Sequence, residues 1–256
     1  MNTSTQLGIH LVFMGGAQGL FFALVLSGLQ GRRSASNRIL VSLLIMVSVG
    51  MFSIAGLALN PGHFMSRILR LAILLGTGSV PLLYLYVKTL MTAEFNLSLS
   101  SLWHFTPILF VAFFLLLFGR PEYDLSNMFP LFSSDHVATI RLIWIVYALP
   151  YLYGMYRLLK THATHMVTTF QLTGVLDQGM LYKMSVYVWV KTLLIASSIY
   201  WITSIILFLV PGFPETGIGI TLLVTMLIYG VGFIGVLKPE LFCFPGKPDE
   251  QRNEYS

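Results

Sequence analysis

His162 and His165 stand three residues apart, a spacing that sets two imidazoles on one helix face and would let them share a metal ion. They follow Lys160 and have no acidic residue nearby to complete a ligand set, so they read as solvated or headgroup-facing side chains. No metal site is expected. Other constellations for bond chemistry are missing too. The sequence has no HExxH pair for a zinc hydrolase and no GxSxG turn for a serine nucleophile. An intramembrane carboxylate protease needs paired acids inside its apolar segments, and all ten Asp and Glu lie outside them. A retinal Schiff base needs a lysine in the last apolar segment, which has none. Lys191 is the one cation well inside an apolar stretch, and its stem is long enough to carry the ammonium to a headgroup. The single cysteine, Cys243, excludes an intrachain disulfide and a Cys-based zinc site. An enzyme is not expected, and no cofactor is implied.

The apolar segments instead hold a few hydrogen-bonding, small and aromatic residues. Gln18 needs a partner inside a bilayer and should face other helices, for packing or for a ligand. Gly15 and Gly19 make a GxxxG pair that lets helices approach closely. Pro81, Pro107 and Pro150 are expected to kink their helices, which can open a cavity. Trp144 and Tyr147 lie in the fifth apolar segment and Tyr200 and Trp201 in the sixth. An interfacial aromatic belt accounts for Trp144, whereas Tyr200 and Trp201 lie deeper and could line a pocket. The candidate ligand-binding residues are therefore Gln18, Tyr147, Tyr200 and Trp201.

These residues must be positioned by elements that suit their solvent. Of 256 residues, 56% are hydrophobic and 10% carry a formal charge, too few for the polar skin of a soluble domain. Seven stretches reach the roughly 20 apolar residues that cross a hydrocarbon core. They are Leu7–Gln30, Ile39–Leu59, Leu71–Leu90, Leu102–Phe118, Ile140–Leu159, Met184–Val210 and Gly217–Leu237. All are too long and too continuously apolar for barrel strands, so the expected fold is all-α, a polytopic bundle of seven transmembrane helices over residues 1–237. Residues 238–256 form a short tail. The first span lacks a basic lead and is expected to be retained rather than cleaved.

Orientation follows from the cations. The first, third and fifth connections and the tail carry ten Lys and Arg, and the opposite face carries Arg67, Arg70, Arg120 and Arg141. That asymmetry predicts an outside N-terminus and a cytoplasmic C-terminus. The outward connection 119–138 is long enough to be a binding loop or lid. The inward connection 161–183 spaces Val167, Phe170, Leu176 and Met180 at near-helical intervals, as an amphipathic surface helix or a linker helix would.

Several segments together resemble one family. They are Gly16-Ala17-Gln18-Gly19-Leu20-Phe21-Phe22, Asn37-Arg38-Ile39-Leu40, Pro81-Leu82-Leu83-Tyr84-Leu85-Tyr86-Val87-Lys88, His104-Phe105-Thr106-Pro107 and Lys238-Pro239-Glu240-Leu241-Phe242. Their order resembles the membrane-embedded N-terminal half of bacterial AraC-type transcriptional regulators, over about residues 7 to 242. The resemblance implies a seven-helix sensor in the bacterial inner membrane, transcription regulation through a following helix-turn-helix domain, and a homodimer. The 19 residues from Lys238 to Ser256 cannot hold such a domain, so this chain is not expected to bind nucleic acid itself. The expected function is a sensing module that binds a small molecule or lipid between its helices and relays a change of packing to the cytoplasm. Membrane lipids surround it. A small-solute transporter or lipid flippase is the alternative.

Overall fold

The computed structural model describes residues 3–28, 35–59, 72, 78–92, 99–109, 113, 137–173, 178–209 and 218–237. Among them the chain is helical and has no strand. The elements are α1 (Thr3–Gly28), α2 (Ala35–Ala58), α3 (Ser79–Met91), a 3-10 segment (Leu99–Phe105), α4 (Val137–Thr173), α5 (Gln178–Leu209) and α6 (Ile218–Leu237). Three stretches, Gln6–Gly28, Ala35–Gly56 and Gly179–Ile206, are long and apolar enough to cross a membrane. The tail, most of the 119–138 connection and about half of the expected fourth span lie outside the described residues.

The helices are apolar on their outer faces as well as their inner ones. Ile195, Ile199, Ile202 and Ile206 form a stripe along α5, each at least half exposed. Leu7, Met14, Phe21 and Leu24 do the same along α1. A helix apolar all round is built for an apolar surrounding, because water would leave such surface without compensation.

Packing fixes the direction of each helix. A Cβ on Gly15 would strike Met51, and one on Gly19 would strike Ser48, so α1 and α2 are antiparallel. The same two positions meet Thr225 and Ile228, so α1 and α6 run in parallel. Tyr84 packs against Tyr151 and Gly154, and Met91 lies beside His162, so α3 and α4 also run in parallel. α5 opposes both, with Trp189 at Tyr86 and Lys183 at His162. The six helices form a ring in chain order, and α5 and α6 touch least of all the neighbours.

Two apolar clusters fill the ring. The larger joins Leu26, Ile39, Leu40, Leu85, Tyr86, Met155, Leu159 and Trp189 near the Lys183 end. The smaller joins Ile9, Val12, Met51, Ala55 and Ile228 toward the opposite end. No Asp or Glu occurs in α1 to α6, and their cations are Arg38, Lys88, Arg141, Arg157, Lys160, Lys183 and Lys191.

Three boundaries differ from expectation. α4 continues past Leu159 to Thr173, and α5 begins at Gln178. The 161–183 connection is thus the prolonged ends of two helices, not a separate surface helix. No proline interrupts it, and Thr164, Thr168 and Thr169 return their hydroxyls to carbonyls one turn back at 3.1, 3.0 and 2.8 Å. The start expected for the fourth span at Leu102 lies in 3-10 geometry, and α-helix begins at Thr106. Pro107 then falls at the second α-helical residue, where its missing N–H is tolerated. Pro81 occupies the first turn of α3, where a missing N–H is tolerated, in place of a mid-helix kink.

Candidate functional site

A ligand-sized, partly open cavity of about 310 Å³ lies between the helices of the ring. It is walled by α2 (Leu40 to Ile54), α3 (Ser79, Val80, Leu83), α4 (Leu152, Met155), α5 (Leu193 to Trp201) and α6 (Val224, Leu227, Ile228). That volume is at the lower end of ligand pockets, roughly 300–1,000 Å³. No charged side chain lines it.

The polarity of the wall is graded. The floor is Leu40, Leu44 and Met155, which belong to the larger cluster. Beneath them Trp189 Nε1 donates to Tyr86 Oη at 3.0 Å, a buried bond that ties α5 to α3. The polar lining groups are Ser79, Ser197, Tyr200 and Trp201. Trp189 pairs with Tyr86, so seven residues further along α5 and seven back along α3, Ala196–Ser197 reaches the level of Ser79. Tyr200 and Trp201 lie one turn beyond, their rings edge to face at 5.3 Å and 79°. The polar groups therefore gather at the end away from the floor.

Of the four candidate ligand residues, Tyr200 and Trp201 line this cavity and Gln18 and Tyr147 do not. Gln18 is half-buried on α1, which contributes no wall. Tyr147 is drawn into another cluster. Its hydroxyl donates to the His104 carbonyl at 2.9 Å, and its ring meets Tyr151 edge-on at 5.2 Å. His104 in turn packs edge-on against Tyr84 at 5.7 Å and Tyr151 at 5.6 Å. This knot pins the 3-10 segment to α3 and α4. Gly154 belongs to the same contact, since a Cβ there would come within 2.9 Å of the Tyr84 ring.

The expected packing residues have separate fates. Gly15 and Gly19 seat α1 against both α2 and α6. Pro107 is exposed beside Thr106, where α-helix begins, and Pro150 is exposed within α4. Sequence reasoning missed Ser79, Ser197, Gly50, Met155 and Gly154. Ser197 and Ser198 are adjacent, yet only Ser197 lines the cavity while Ser198 donates to the Leu194 carbonyl at 2.8 Å. Only the rotation of α5 separates them.

A second polar spot lies where α3, α4 and α5 meet. His162 is half-buried beside the backbone of Met91 and Lys183, and its Nε2 makes no aligned hydrogen bond. Burial, with the Lys183 charge beside it, pushes its pKa below the ordinary value. Among the described residues no three metal-ligating side chains gather. Compared with family models, curated proteins and solved structures, the chain matches none.

Proposed function

We propose that the chain is a seven-span sensing module of the bacterial inner membrane, with its N-terminus outside and its C-terminus in the cytoplasm. A small molecule or lipid occupies the central cavity and selects one packing of the ring, which the Lys183 end reports to the cytoplasm. The cavity, uncharged and shared by five helices, carries this reading. A ligand touching five helices at once has differential contacts with any two arrangements of them, which a population shift requires.

Two further observations support the seven spans and their orientation. α3 and α4 point the same way, so the chain leaves Met91 at one end of the ring and re-enters at Val137 at the other. One more crossing between them brings the count to seven. Arg38, Lys88, Arg157, Lys160 and Lys183 sit toward one end of their helices' common axis and Arg141 toward the other, in keeping with a cytoplasmic face at the first. The likeness of five short segments to AraC-type regulators supplies the proposed output: a cytoplasmic transcription-controlling partner domain, in a homodimer.

The test is thermal unfolding of the chain in nanodiscs across a panel of neutral and charged amphiphiles. A ligand that raises the midpoint in the native chain, and fails to do so when Ala196→Phe fills the cavity, supports sensing. Solute or lipid flux in proteoliposomes, with no such ligand effect, would replace this reading by a transporter.

A further inference from the structure

Resting on the sensing reading above, we infer that the cavity takes an uncharged single-chain amphiphile that reaches it sideways between α5 and α6. Three observations carry this. The first is the absence of any Asp, Glu, Lys, Arg or His among the lining residues. A charged headgroup drawn into that wall would lose its hydration without a partner, which costs several kcal/mol or more. The occupant is therefore neutral.

The second is the gradient along the wall. Leu40, Leu44 and Met155 at the floor offer only dispersion contacts to an aliphatic chain. Ser79, Ser197, Tyr200 and Trp201 at the far end offer hydroxyl and indole groups to a hydroxyl, ester or ketone. An apolar pocket with a few convergent polar groups fixes one orientation of its ligand, here tail on the Met155 floor and head at Ser197.

The third is the seam. α5 and α6 have the weakest contact of any neighbours in the ring, and both line the cavity, through Leu193, Ala196 and Ser197 on one side and Leu227 and Ile228 on the other. The outer face of the same α5 stretch is the exposed Ile195 and Ile199. Among the described residues the α5 face beside this seam is apolar, which favours entry of a chain from the bilayer. The α2 and α6 walls are backed by α1, which Gly15 and Gly19 lock against both, so that side gives no such route.

The probe is a diazirine-bearing dodecanol incorporated in nanodiscs with the full chain, with adducts mapped by mass spectrometry. The expected adducts fall on cavity-lining residues of α5, α6 and α2, and dodecanol removes them at least tenfold more effectively than dodecanoate at pH 9 or dodecyltrimethylammonium. Ala196→Phe is expected to abolish the cavity adducts, while Ile199→Phe, on the outer face, leaves them intact. Should Ala196→Phe fail to fold, Ser197→Ala with Tyr200→Phe serves instead, and is expected to erase the preference of dodecanol over dodecane. At a fixed mole fraction in the bilayer, labelling should not change with aqueous volume. Equal competition by the charged chains overturns the ligand class and leaves sensing standing. Dependence on the aqueous concentration overturns the lateral route. Absence of cavity adducts and of protection by any compound overturns both this inference and the sensing reading.

Discussion

Trp189 on α5 and Tyr86 on α3 are joined by a buried 3.0 Å hydrogen bond beneath the floor of the cavity. Both side chains are almost fully inaccessible, at 3% and 1% exposure. Tyr86→Phe removes this bond and is expected to destabilise the bundle by about 0.5–1.5 kcal/mol. Trp189→Phe should cost more, through lost volume. In a double-mutant cycle the pair should be less than additive, because the second change removes a group whose bond the first has already broken. Unfolding in mixed micelles measures all three; full additivity would show that the bond contributes nothing.

The α1 contact tests close approach. A Cβ at Gly15 would sit 2.5 Å from Thr225 Oγ1 and 2.6 Å from Met51 Cε. Gly15→Ala is therefore expected to destabilise by about 1–3 kcal/mol as α2 and α6 are pushed aside. Gly230→Ala meets nothing within 4 Å and is expected to be neutral or stabilising by up to about 1 kcal/mol. The order of the two midpoints in thermal unfolding decides the point, and a harmless Gly15→Ala contradicts the packing.

His162 predicts a pH dependence of definite sign. Its pKa in the folded chain lies below the 6.5 of a free imidazole because burial disfavours the cation and Lys183 repels it. The unfolded chain therefore takes up the proton first as pH falls. Stability present above about pH 6.5 is lost as the pH drops through the folded value. His162→Gln should flatten this slope. Lys183→Gln should move the His162 titration, followed by NMR of the labelled imidazole, back toward the ordinary value. His165, which adds a smaller repulsion, stays in place in both variants.

Tyr147 and Tyr200 should separate in function. Tyr147→Phe loses the bond to the His104 carbonyl and is expected to cost about 0.5–1.5 kcal/mol of stability with ligand protection unchanged. Tyr200→Phe and Trp201→Ala should alter the ligand-dependent shift of the midpoint, because both side chains line the cavity. Ligand protection lost with Tyr147→Phe and kept with Trp201→Ala would move the site to the His104 knot.

Cys243 offers a topology test without added cysteines, as it is the only thiol in the chain. A membrane-impermeant maleimide is expected to label it only after the cells are permeabilised. Labelling in intact cells would reverse the proposed orientation.

The helical character was legible because the apolar stretches are long and carry few or no charges, and a chain of that kind has one way to satisfy its backbone. Gly15 and Gly19 were legible too, since a four-residue spacing puts both on one face. The length of α4 was not. Residues 161–173 are polar enough to end a membrane span yet hold no residue that ends a helix, so the polarity signal and the backbone signal part there. The start of the fourth segment was misplaced for a related reason, as 3-10 geometry at Leu99–Phe105 leaves no mark on composition.

By itself the sequence determined an apolar all-helical chain, with no carboxylates in its helices and little equipment for bond chemistry. It placed Tyr147, Tyr200 and Trp201 in one class, because each is an aromatic in an apolar run. Only the tertiary structure put Tyr200 and Trp201 at a cavity and turned Tyr147 to His104, and only it set Ser197 on the wall and Ser198 against its own helix. The reason is rotational. In a helix apolar on every side no periodicity reports which face points inward, so the choice falls to the neighbours: where Gly15, Gly19 and Gly154 let helices close up, and where Trp189 and Tyr86 lock them.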